Sequence, residues 1–366
     1  MARFRTRRFV PADEDELNQR YLEIMRRNWP DFSRSLDLMR WLWYQAPGGR
    51  VESWVIETEN PDGSWRIIGH HGLCPVRFTF GDLDLLCAKT VNTFLLPEFR
   101  TKFIYLRFEQ QCLAEARSHF DATYSNGPGT ARMRKTLGYT GTDKWFPLEH
   151  CSDSLDLATK LFSRVVHRVS HAPFTQVGRA WAAGCAVSAR KPSFEWIEYS
   201  PEQAMQSPFF SDFWQQARAT AGMTPRRDAA DLAWRFWQRP GSNFVTLVHE
   251  WAGGARAYCI VDVTHPVLYY IVDMVVTPPR PDLLDAALDA LFLWRARRGA
   301  LSISIWLTSE GQPPELMEVF FRRMKTHPLR RFRPQWEVPR YLSPRGSEAL
   351  GGVMPRWNIT QMMIPL

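Results

Sequence analysis

Met39-Arg40-Trp41-Leu42-Trp43-Tyr44-Gln45-Ala46-Pro47-Gly48-Gly49 and, much further along, Leu232-Ala233-Trp234-Arg235-Phe236-Trp237-Gln238-Arg239-Pro240-Gly241-Ser242 are two versions of one phrase. Trp41, Gln45, Pro47 and Gly48 fall on Trp234, Gln238, Pro240 and Gly241 at a single offset of 193. Flanking segments keep the same order: Phe4 to Pro11 matches Phe194 to Pro201 at 190, and Val91 to Pro97 matches Val272 to Pro278 at 181. Stacked arrays repeat every ~20–50 residues, whereas a domain takes ~100–200. The chain of 366 residues therefore reads as two related, diverged halves: residues 1–165, a helical connector over 166–190, and residues 191–366.

Working outward, 45% hydrophobic and 13% aromatic content lets each half bury its own core and argues against disorder. The longest apolar runs, such as Tyr269–Val276 with Asp273 inside it, fall far short of the ~20 residues that span a bilayer. Met1–Val10 is basic but leads into Pro11-Ala12-Asp13-Glu14-Asp15-Glu16, so no signal peptide is expected. The six cysteines form no Cys-x-x-Cys pair, which predicts a reducing, cytoplasmic setting. A net charge of +8 favours polyanionic partners such as nucleotide phosphates, tRNA or an acidic carrier, although a basic composition is also a plain compositional bias.

The patterns predict the same order of elements in each half: strand, helices, strands, long helix, strand. In the first, Phe4–Val10 is a strand, and a helix runs from Asp13 to Arg27. A second helix opens at Asp31 or Ser33 and stops at Pro47-Gly48-Gly49. Ser53–Glu59 and Ser64–Gly69 form a hairpin that continues to a turn at Gly81-Asp82. Lys89–Leu96 is a strand, Lys102–Ser118 a long helix, Asp121–Ser125 a strand and Thr130–Leu137 a short helix. In the second half Ser211–Gln238 is helical, Asn243–Glu250 and Ala255–Val263 form a hairpin, and Leu268–Thr277, Asp282–Arg298 and Leu301–Thr308 repeat the strand, helix and strand. The fold class expected is α/β (α+β), with two similar domains, each a mixed, mostly antiparallel sheet flanked by helices.

Gly69-His70-His71-Gly72, the Val91–Pro97 strand, Pro97-Glu98-Phe99-Arg100-Thr101-Lys102-Phe103-Ile104, Ser125-Asn126-Gly127 and Leu137-Gly138-Tyr139 together resemble the GNAT superfamily of N-acyltransferases. The resemblance covers roughly Val55–Trp145, with a shadow over roughly Phe194–Thr308. It implies tandem domains of that fold and an acyl-CoA donor, most simply acetyl-CoA. The donor's pyrophosphate would lie at the start of the helix after Arg100, where free N–H groups meet an anion. Leu95, Leu96, Arg100, Thr101, Lys102, Phe103, Ile104, Tyr105 and Asn126 are then the candidate donor-binding residues. Thr101 and Phe103 replace the family's glycines, and Phe103 or Tyr105 could plug the approach. In the second half Pro278-Pro279-Arg280-Pro281-Asp282 removes N–H donors and adds a negative charge, which reads as a structural copy that binds no donor.

In this family an amine attacks a thioester, the splayed central strand polarises the carbonyl, and a base removes the amine's proton. The candidates here are His70, His71, Asn92 through a water, and Glu98. His70 or His71 suits best by its ordinary pKa, although neighbouring strand residues point to opposite faces and a structural histidine is the plainer reading. The family's acid, a Tyr four residues before the Gly of Leu-Gly-Tyr, is replaced by Arg134. Cys74 reads as an inert buried thiol, and the tryptophans of the repeated phrase as core anchors. No spacing suggests a metal site. The acceptor expected is a small-molecule amine, such as an amino sugar, lying between the halves. Paired domains of this kind are also similar to Fem-type aminoacyl-tRNA-dependent ligases, and an acyl-carrier protein is a further donor that fits a basic surface. A non-catalytic scaffold remains the third class.

Overall fold

A computed structural model of the chain describes residues 3–28, 34–100, 102–125, 131–140, 145–151, 192–308, 313–326, 340–351 and 357. The connector over 166–190, Thr101 and Asn126 lie outside these.

Strand β1 (Phe4–Arg8) leads into helix α1 (Glu14–Asn28), which carries Glu14, Asp15 and Glu16 in its first turn and Arg26 and Arg27 in its last, as the helix dipole favours. Helix α2 (Leu36–Tyr44) starts two residues later than Ser33: Ser35 is its N-cap and accepts a hydrogen bond from the Leu38 amide at 3.1 Å. Strands β2 (Glu52–Glu59), β3 (Trp65–Phe80) and β4 (Leu83–Leu95) form a meander. Helix α3 (Lys102–Ala116) crosses to β5 (Ala122–Tyr124), which pairs parallel with β4. A short helix α4 (Ala131–Lys135) precedes β6 (Trp145–Cys151).

The second half runs through β7 (Ile197–Tyr199), helices Pro201–Gln206 and Phe209–Arg218, β8 (Thr224–Pro225), a helical turn Ala229–Leu232 and a π-helical turn Ala233–Trp237. The single helix expected over Ser211–Gln238 is thus broken. Pro225 has no N–H to continue a helix, Thr224-Pro225 instead pairs with Phe78-Thr79 of β3, and Asp228 caps the restart by accepting from the Asp231 amide at 3.0 Å. Then follow β9 (Phe244–Glu250), β10 (Arg256–Asp262), β11 (Leu268–Thr277), helix Pro281–Arg297, β12 (Ser302–Thr308), helix Pro314–Arg323, β13 (Lys325–Thr326), β14 (Arg340–Leu342) and helix Pro344–Ala349.

Two seven-stranded mixed sheets result, in the orders β1-β2-β3-β4-β5-β14, with β8 beside β3, and β13-β6-β12-β11-β10-β9-β7. Neither sheet is built from one half alone. Trp145–Cys151 of the first half pairs along the whole of β12, and Arg340–Leu342 of the second pairs with β5. Asp121 fastens this exchange. Its carbonyl accepts from the Ser343 amide and hydroxyl at 3.0 Å each, and its carboxylate takes the Leu86 amide at 2.7 Å and the Arg345 guanidinium at 2.9 Å. Gly346 packs directly on that carbonyl; a β-carbon there would come within 1.9 Å of it.

The two copies of the repeated phrase meet in the middle. Trp41 and Trp234 stack at 4.9 Å, nearly parallel, and belong with Leu42, Ala46, Cys74 and Val91 to one buried cluster. A larger core of Phe78, Tyr124, Phe210, Phe213, Tyr258 and Trp357 also draws on both halves, and Arg77 crosses to Asp231 at 2.7 Å.

Candidate active site

The parallel strands β4 and β5 pair at Cys87 with Ala122, Ala88 with Thr123 and Lys89 with Tyr124, and then part. Just beyond, β4 bulges. Register with β3 jumps from Gly72 opposite Val91 to His70 opposite Phe94, and Asn92 takes φ +49°, a left-handed conformation that Asn tolerates better than most residues. Gly72 lets the bulge close, since a β-carbon there would stand 3.0 Å from Val91 and 3.1 Å from the His70 ring. The second half repeats both features: β11 pairs with β12 only from Leu268 to Ile271, and its register with β10 slips between Ile260 and Val261.

His70 and His71 are both fully buried and lie on opposite faces. His70 is beside Phe9, Trp43 and Phe94, and its Nδ1 is 2.9 Å from the Asn92 carbonyl. A carbonyl can only accept, so this contact fixes the neutral tautomer with N–H on Nδ1 and leaves Nε2 as a lone pair with no donor among the described residues. His71 lies beside Phe108, with Nδ1 3.2 Å from the Thr93 hydroxyl. Burial pushes both imidazoles down to about 4, so both are neutral near pH 7.

Leu95 and Leu96 are buried, while Glu98 and Arg100 are exposed; the Arg100 Nε folds back to donate to the Leu95 carbonyl at 2.9 Å. Lys102 opens α3. Phe103 is 76% exposed, and with Phe4, Arg5, Ile104 and Arg107 it lines a cavity of about 300 Å³ on the β1 side of α3. Tyr105 turns inward instead, 3.4 Å from an Arg134 nitrogen. In the second half, Asp282 at the start of its helix is held by Arg280 at 2.5 Å.

Arg134 is where the strands separate. Its Nε donates to Glu109 at 2.6 Å, and its Nη1 reaches Thr90 of β4 at 3.4 Å and the Ser125 hydroxyl just past β5. It therefore ties the two strands together at the fork. Burial works against charge on both partners; the nearby Tyr105 and Glu109 hold the guanidinium above its ordinary value, and Arg134 holds Glu109 below its own. Arg134 is thus a fixed cation.

Sequence reasoning missed Lys89, Arg34 and Glu109. Lys89 carried a signal: it is the charge inside Leu85-Leu86-Cys87-Ala88-Lys89-Thr90-Val91, a run otherwise fit for a buried strand. Among the described residues no group of three or more His, Cys, Asp or Glu is placed to hold a metal, and no helix is long and apolar enough to cross a membrane.

No family model and no curated protein matches the sequence. Solved structures do match the fold. A conserved Enterococcus faecalis V583 protein, described as a probable N-acyltransferase, superposes with a TM-score of 0.61 at 11% identity over 94% of this chain and 74% of its own. A GCN5-related N-acetyltransferase from Anabaena variabilis gives 0.57 at 13% over 93% and 73%. One from Kribbella flavida gives 0.54 at 10% over 93% and 71%. The chain has the fold of the GCN5-related N-acetyltransferases, in two mixed sheets flanked by helices.

Proposed function

We propose that this protein is an N-acyltransferase that moves an acyl group, in the simplest case acetyl, from acetyl-CoA or another acyl-CoA to a primary amine such as that of an amino sugar. One observation carries the reading. In a fold shared with proteins described as N-acetyltransferases, β4 and β5 fork beside a bulge and lead into a helix N-terminus, the arrangement that fits a thioester carbonyl and its phosphates. His70 is the base in this reading: the Asn92 carbonyl holds its Nδ1–H, and the buried Nε2 lone pair, with no donor among the described residues, would take the amine's proton. Its low basicity is matched by the low dielectric of its surroundings, where a bound amine is also driven toward the neutral form. Intact-mass and thiol-release assays with acetyl-CoA, longer acyl-CoAs and a panel of amines test the proposal. His70→Asn is expected to lower kcat by about 100-fold or more with little change in donor affinity. Equal turnover in the variant would remove His70 from the role, and no transfer with any donor would favour a scaffold.

The net charge of +8 favours a second reading, in which the donor is delivered by a larger acidic carrier, an acyl-carrier protein or an aminoacyl-tRNA, without depending on the α3 turn. Salt-sensitive binding of either carrier supports it, and indifference to both removes it.

A further inference from the structure

Where the two halves meet, buried hydrogen-bond donors outnumber the acceptors that the described residues offer them. Lys89 is 5% exposed and Arg34 7%. The Lys89 ammonium, Nε and Nη2 of Arg34, Nε of Arg239, Nδ2 of Asn92 and both indole N–H groups of Trp41 and Trp234 are buried with no hydrogen-bond partner among the described residues. They form one neighbourhood. Lys89 is paired in register with Cys74, which packs with Trp41, Val91 and Trp234. Arg34 donates to the Asn92 carboxamide oxygen at 3.1 Å, and the Arg239 guanidinium carbon is 5.9 Å from the Trp41 ring. The charges of Arg34, Arg235 and Arg239 all bear on Lys89, and that of Arg34 on Arg239.

The balancing negative groups are few. Asp262 acts on Arg239 and Asp231 lies 3.9 Å from Arg235, while Arg34 meets a hydroxyl, that of Tyr21 at 3.5 Å. Cys74 beside Lys89 is itself pushed up to about 12 by burial, so it stays a neutral thiol. Burial drives the Lys89 ammonium well below its ordinary range, and a lysine can shed its proton. A guanidinium cannot. Buried Arg34 therefore keeps its charge, and an unpaired buried charge is costly enough that such groups are almost always matched by an anion. The chain also departs from regular geometry here: Asn92 has positive φ, and Trp234 and Arg235 belong to the π turn, a distortion frequent at functional sites.

We propose that the junction of the two halves is a binding site for an oxyanion, the carboxylate or phosphate group of a small ligand, gripped by Lys89, Arg34 and Arg239 with the Asn92 amide and the indoles of Trp41 and Trp234 around it. His70, Gly72 and Cys74 on β3 share one face with Val91 and Lys89 on β4. In the acyl-transfer reading, the oxyanion is thus the acid group of the amine acceptor, and the site selects acceptors that carry one. Anion binding does not depend on that reading.

Titration calorimetry and thermal melts of the full chain with inorganic phosphate, pyrophosphate and succinate, against chloride at matched ionic strength, provide the test. Saturable binding and a rise in Tm are expected with at least one oxyanion and not with chloride. Preference for the phosphates or for succinate then assigns the ligand group. Lys89→Met and Arg34→Gln should each weaken binding by roughly tenfold or more, and Lys89→Met should raise the Tm of the anion-free protein by removing a buried donor. Arg239→Gln provides the same readout if Lys89→Met folds poorly. No saturable binding of any of the three oxyanions, or binding unchanged in Arg34→Gln and Arg239→Gln, overturns the proposal. Anion binding that persists in a protein inactive toward every acyl donor would sink the transferase reading alone.

Discussion

Adjacent in sequence, His70 and His71 occupy different surroundings yet share a thermodynamic consequence. Burial lowers both from an ordinary value near 6.5 to about 4. In the unfolded chain both take up protons as pH falls below about 6.5, whereas the native state resists until about 4. Their contribution to stability is therefore complete above pH 6.5 and lost as pH falls through that window, with a slope of about 1.4 kcal/mol per pH unit for each histidine. Urea unfolding from pH 7.5 to 4.5 should show it, and His71→Asn should halve the slope. Glu109, held below its ordinary value against the cost of burial by Arg134, adds a loss only at lower pH, as it falls through the carboxylate range. Breaking this pair one-sidedly, as in Arg134→Met, leaves Glu109 buried and unpaired and is expected to cost about 3–5 kcal/mol in urea unfolding. Sequence position identified Arg134 as the replacement for an acid, but not its partners. Glu109 and Thr90, 25 and 44 residues away along the chain, become its neighbours only through the crossover of α3.

At the scale of elements, the boundaries legible in the sequence were those written in local chemistry. Gly63 and Gly81 adopt positive φ at the turns expected of them and the acidic first turn begins α1, whereas α2 is capped by Ser35 and not by the Asp31 or Ser33 expected. The helix over Ser211–Gln238 failed because a polar strand of two residues, Thr224-Pro225, finds its partner only in β3 of the other half. The same dependence on distant partners governs β14. Its attachment rests on Asp121, Ser343 and Gly346. Gly346→Ala would drive a methyl group into the Asp121 carbonyl, so a drop in Tm of several degrees, corresponding to about 1–3 kcal/mol, is expected. Ser343→Ala removes both a helix cap and a bond to Asp121, and should cost about 1–2 kcal/mol. If hydrogen exchange at Ala122–Tyr124 stayed unchanged in Gly346→Ala, this account of the clamp would be wrong.

Over the whole molecule, the exchange of β6 and β14 makes each sheet depend on both halves of the chain. A fragment of residues 192–366 would leave β12 as an open edge, and one of residues 1–191 would leave β5 without β14; uncovered edges promote aggregation. Each fragment alone is expected to be insoluble, and co-expression to yield a soluble complex with the melting behaviour of a single cooperative unit. Two independently folding fragments would contradict this. The sequence by itself determined the repeat, the order of strands and helices within it, and the fold class, because periodicity, caps and turns act over a few residues. It also offered His70, His71, Asn92 and Glu98, with the turn after Pro97, as candidates for the site. Only the tertiary structure decided which sheet each last strand completes, that Arg134 bridges the fork, and that Lys89, Arg34 and Arg239 converge on the stacked tryptophans. Strand partnership and the summing of buried charges are set by contacts between residues far apart in the chain, which no local pattern records.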